Sequence, residues 1–96
     1  MLDDLRTKLQ SELAVVGYRD LRQHAGRGAL FLVRGALPLV EAAVSIAQDD
    51  QESVKAWLSL QQLLRPSEEE LSRWELELDK RFEYVIVQPF VLAREL

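Results

Sequence analysis

A chain of 96 residues with 48% hydrophobic and 29% charged content has the composition of one ordinary globular domain with a single core, not of a disordered segment. The absence of cysteine excludes a disulfide framework, a thiolate metal site and a cysteine nucleophile, and a lone histidine (His24) argues against a His-based zinc site, so neither metal nor cofactor is expected. A net charge of −4 argues against non-specific nucleic-acid binding, and the lack of a ~20-residue apolar run or a basic-then-apolar leader predicts a soluble, cytoplasmic protein without a membrane span.

Leu2, Leu5, Leu9, Leu13 and Val16 recur at three- and four-residue steps, which predicts an amphipathic helix over 2–16. Gly17 ends it, and Tyr18 to Ala25 reads as a second short helix. After the Gly26-Arg27-Gly28 turn, Ala29-Leu30-Phe31-Leu32-Val33 reads as a strand with no polar position, the pattern of burial on both faces. Pro38 suits the first turn of a helix over 38–48, where Glu41, Ser45 and Gln48 form one narrow polar stripe on an apolar cylinder. Such a helix belongs at the centre of a fold. Asp49 and Glu52 offer a capping box for a helix over 50–63 that turns Val54, Trp57, Leu58 and Leu64 inward. Ser67 and Glu70 offer another, for a helix over 68–81 that buries Leu71, Trp74, Leu78 and Phe82 and leaves Leu76 off the stripe. Tyr84-Val85-Ile86-Val87 is the second strand. Gln88-Pro89 interrupts it, and Phe90-Val91-Leu92 forms a third short strand or an extended arm.

These elements predict an α+β fold in the order α-α-β-α-α-α-β, with helices packed on a small two- to three-stranded sheet and an extended C-terminal tail. So small a sheet is marginal alone, and strands that are apolar on both sides need cover on both sides. Helices could wrap both faces, or a second copy could cover one face or extend an edge. The second arrangement predicts a homodimer that uses Leu30, Leu32, Val85 and Val87, since closed two-fold pairs are the commonest oligomers.

Two constellations could carry chemistry. Glu41 on its apolar helix, with Asp49 and Asp50 further along and an arginine such as Arg27 or Arg34 nearby, could form a ligand or catalytic site if Glu41 faces a cleft that raises its pKa. Its competing role is a solvated or Arg-paired carboxylate, with the aspartates serving as caps. Arg19, Arg22, Arg27 and Arg34 with the Gly26 and Gly28 amides could bind an anion, but the turn lacks the length and Lys-Ser/Thr of a phosphate-binding loop. Charge is uneven along the chain, +2 over residues 1–36 and −4 over residues 67–96, so the arginines can equally pair with the acidic end. His24 stands beside no partner in a catalytic arrangement.

Several stretches together resemble a family of uncharacterised small bacterial proteins, domain of unknown function 2288. They are Ala25-Gly26-Arg27-Gly28, Leu37-Pro38-Leu39-Val40-Glu41-Ala42-Ala43, Asp49-Asp50, the Val54-to-Leu58 run V-K-A-W-L, Trp74, and Val87-Gln88-Pro89-Phe90-Val91-Leu92. The resemblance spans about residues 5–94 and departs at Pro38, where the family pattern calls for an acidic residue, and at Phe90, where it calls for Trp. It implies a bacterial origin and single-domain length, and brings no activity with it. The residues themselves favour a non-enzymatic interaction module, a homodimer acting on a protein partner.

Overall fold

The first helix stops short of the point its apolar spacing predicts. A computed structural model of the chain, which describes residues 2–96 and the side chains from residue 4 on, ends α1 (Leu2–Glu12) before Ala14-Val15-Val16 and extends that run as β1 (Ala14–Gly17). Adjacent β-branched residues are stiff and fit a pleated surface better than a helix, and here Val16 lies opposite Phe82 in an antiparallel pair. Gly17 permits the close approach that follows, since a Cβ there would lie 2.9 Å from the Leu78 carbonyl oxygen. The Tyr18 and Arg19 amides beside it donate to the Lys80 and Leu78 carbonyls at 2.8 and 3.0 Å.

The remaining elements are α2 (Tyr18–Gly26), β2 (Leu30–Val33), α3 (Leu39–Ala47), α4 (Gln51–Ser59), β3 (Leu63–Leu64), α5 (Glu68–Glu75), β4 (Arg81–Val87) and β5 (Phe90–Glu95). The fold is α+β, but the expected two- to three-stranded sheet and element order are corrected. The described residues form one mixed sheet of five strands in the order β1-β4-β5-β2-β3. Only β5 and β2 run parallel; every other neighbouring pair is antiparallel. The extra strands are edge strands of four and two residues, defined by backbone pairing with distant segments rather than by a local pattern. The C-terminal segment, read as a short strand or an arm, is central to the sheet, with Val87 opposite Phe90 across a turn that contains a cis Gln88–Pro89 bond. The stripe Leu71, Trp74, Leu78, Phe82 is not one helix. It comes from α5, the turn after it and β4, gathered into a common core.

Alternation along the strands divides the core in two. On one face Val33, Val85, Val87 and Leu92 pack with Leu9 of α1 and with Leu39, Ala42, Ala43 and Val44 of α3, while Val54 and Trp57 of α4 add partial cover. On the other, Leu30, Leu32, Phe82, Val91 and Ala93 pack with Tyr18 and Leu21 of α2 and Trp74 of α5. The cover demanded by strands without a polar side therefore comes from helices of the same chain. Leu30, Leu32, Val85 and Val87, read as strands for a second copy, are all buried within their own chain. No helix among the described residues is long and apolar enough to cross a membrane.

Candidate functional site

The structure sends the sequence-derived polar candidates to separate places. Glu41, in the first turn of α3 behind the N-cap Pro38, receives both terminal guanidinium nitrogens of Arg6 on α1, with Nη2 at 3.2 Å from Oε2. That guanidinium holds the Glu41 carboxyl below its ordinary range. A general base working near neutral pH needs the opposite shift. Asp49 and Asp50 lie beyond the other end of α3, on the order of 12 Å away by helical rise.

Asp50, not Asp49, caps α4. It accepts from the Ser53 amide at 3.2 Å and from the Ser53 hydroxyl at 2.8 Å. Asp49 instead takes a left-handed conformation (φ 57°) that reverses the chain between α3 and α4, a role Asp tolerates better than most residues. Its amide donates to the Ile46 carbonyl at 3.1 Å, and the Asp50 amide to Ser45 at 2.8 Å.

The arginines meet carboxylates from the C-terminal third. Arg34 Nη2 donates to Glu70 and to Glu95, the latter at 2.9 Å, and Lys80 Nζ lies 3.4 Å from the other Glu95 oxygen. Burial opposes the charge on Arg34, yet its bonds to Glu70 and Glu95 raise its pKa above the ordinary value. Burial likewise pushes the Glu70 carboxyl up, but the Ser67 amide, the Arg34 guanidinium and the Ser67 hydroxyl together hold it below 4.5. The Ser67–Glu70 capping box forms with both reciprocal bonds at 3.1 Å. Arg22 pairs with Glu75, and Arg19 lies 3.5 Å from Asp79. Arg27 packs against His24. The amides of the turn read as an anion site are bonded to the end of α2: Arg27, Gly28 and Ala29 donate to the Gln23, Ala25 and His24 carbonyls, with Gly28 at φ 71°.

Glu41, the two aspartates and an arginine therefore do not converge. The structure instead brings Asp49 and Asp50 to the rim of a groove of about 310 Å³. Phe31, Ile46, Val54, Leu58, Leu63 and Phe90 form its walls, with Gln51 and Lys55 on the lip. Phe31 and Phe90 meet edge to face at 5.6 Å, and the Arg65 guanidinium sits 5.1 Å from the Phe31 ring centre. Helix periodicity assigned Val54, Trp57 and Leu58 to the interior, which hid this groove. None of the nine residues of α4 is buried, and Leu58 is 44% and Leu60 68% exposed. A signal was present in the sequence: Gln51, Lys55 and Leu58 form an i, i+4, i+7 row along the groove side of α4.

A second hollow, of about 470 Å³, lies between the end of α1, the segment leading into α3, and Arg94. Arg94 is a strut there, donating to the Gly35 carbonyl and to that of Leu37 at 2.9 Å. Glu41 lines neither hollow. Among the described residues no cluster of His, Asp and Glu could hold a metal ion.

A mixed five-stranded sheet clad by helices on both faces, with an apolar groove at one corner, defines a small α+β protein. The chain belongs to the family described as protein of unknown function (DUF2288), whose model matches residues 4–95. It is similar to a protein solved by NMR in solution, PA1075 from Pseudomonas aeruginosa, with 40% sequence identity and a TM-score of 0.80 over 96% of this chain and 84% of that one. No curated protein matches it.

Proposed function

We propose that the protein is a non-enzymatic, cytoplasmic interaction module that works as a homodimer and engages a protein partner. The observation that carries this reading is α4, a helix with no buried residue that holds Leu58 in solvent beside an apolar groove, with Leu60 exposed just past its end. A contiguous apolar patch rimmed by polar residues is the usual mark of a protein-binding surface. The polar candidates support a non-catalytic role because they are already engaged: Glu41 by Arg6, Asp50 by Ser53, and Arg34 by Glu70 and Glu95. A cysteine-free composition is in keeping with a cytoplasmic setting, where no disulfide framework is available. Sedimentation velocity across the micromolar range tests the self-association. Dimer should accumulate with concentration, and a strict monomer at the highest concentration removes the homodimer from the proposal.

A further inference from the structure

We infer that the occupant of the groove beside α4 is the α4 face of a second copy, packed antiparallel across a two-fold axis. This rests on the homodimer reading and assigns it a surface. A two-fold contact uses one patch twice, so the patch must be complementary to itself. The α4 face meets that demand in shape. It carries both a protruding apolar side chain, Leu58, and an apolar hollow between Ile46, Val54 and Phe90 that a second leucine can enter.

The charges set the direction. Asp49 and Lys55 both line the groove, carry opposite charge, and have no ion-pair partner among the described residues. By contrast Arg6, Arg22 and Arg34 are all matched within the chain. An axis level with Glu52 sets Lys55 of each copy against Asp49 of the other, twice over, against a single Glu52–Glu52 approach at the axis. It also brings Leu58 of each toward the groove of the other. A parallel arrangement would place like charge on like charge, which complementary interfaces avoid. Antiparallel packing also opposes the two helix dipoles favourably. The patch is small: nine residues of α4 make a helix about 13 Å long. Contacts at the lower end of the interface range are transient and weak, so the dimer is a micromolar one.

The test uses the full chain, with circular dichroism and a thermal melt confirming that each variant folds; Asp49, Lys55 and Leu58 are all exposed, so the fold should tolerate the changes. Leu58→Glu should be monomeric at concentrations where the wild type is dimeric. Lys55→Glu, which sets two like charges face to face, should weaken the dimer roughly tenfold. Adding Asp49→Asn to Lys55→Glu should recover about half of that loss, because Asn keeps the left-handed backbone and removes the repulsion without restoring the attraction. A wild-type dimer unmoved by Leu58→Glu would overturn this surface and leave the homodimer standing, built elsewhere, for example on the free edge of β1. Disruption by Leu58→Glu without recovery by Asp49→Asn would overturn the antiparallel pairing. A wild type that stays monomeric would overturn both readings.

Discussion

The two faces of the sheet are covered by different means. On the α2/α5 side three large rings do most of the filling: Trp74 meets Phe82 at 5.1 Å and Tyr18 at 5.5 Å, and all three are buried. The margin is closed by ion pairs, Arg22–Glu75 and Arg34–Glu70 among them. On the α1/α3/α4 side the filling is aliphatic and small. Ala42 and Ala43, both 0% exposed, let α3 lie close on the sheet and leave α4 as an outer layer with nothing over it. The same sheet thus has one face filled chiefly by aromatic bulk, with Ile86 at its margin 41% exposed, and another whose last helix stands half in solvent. Stability should be concentrated on the first, and tolerance to change on the second.

Removing the central ring should have the largest effect. Trp74→Ala should cost about 3–5 kcal/mol in urea unfolding, enough to bring a chain of this size close to unfolding. Trp74→Phe sharpens the point. The Trp74 Nε1–H is buried without a hydrogen-bond partner among the described residues, so phenylalanine loses ring volume but also removes an unsatisfied donor. Its cost should fall well below that of alanine. If the two variants prove equally damaging, ring volume is not what seals that face.

The rim of the same face should be worth less and should depend on pH. Ser67→Ala removes the α5 cap and should cost about 1 kcal/mol. Glu70 has a carboxyl held below 4.5 in the folded chain. Its contribution is therefore complete above that ordinary value and is lost as pH falls through the lower folded one. Glu70→Gln should be less stable than wild type near neutral pH, and the gap should narrow as acid is added below about pH 4.5. A gap that stays constant down to pH 3 would mean that the carboxylate charge of Glu70 does not matter.

The outer face should barely register. In the monomer, Leu58→Ala should change stability by less than about 0.5 kcal/mol, because the side chain is half in water already. The two tryptophans give a direct optical comparison. Acrylamide should quench the half-buried Trp57, read in a Trp74→Phe background, and leave Trp74 largely untouched, read in a Trp57→Phe background. Equal quenching would erase the distinction between the faces.

Local chemistry was legible where it acts through neighbours in sequence. The Ser67–Glu70 box, the turn after α2 at Gly28 and the central place of α3 all follow from spacing of a few residues. The groove was not legible, because Val54, Trp57 and Leu58 carry the same apolar period whether their helix is a core layer or an outer one. Nor was β3, since Leu63-Leu64 is a strand only through pairing with Leu32 and Val33.

The sequence by itself therefore determined an α+β protein without cysteine, with two doubly apolar strand segments and capped helices, because composition, period and caps act over one or two turns of chain. Only the tertiary structure decided that the sheet has five strands, that helices of the same chain cover both its faces, and that Glu41 and the two aspartates stand apart. Strand partners and the depth of a helix face depend on contacts between residues as distant as Val16 and Phe82, which no local pattern encodes. That is why Leu30, Leu32, Val85 and Val87 are buried by helices of their own chain while Leu58 of α4 stands in solvent.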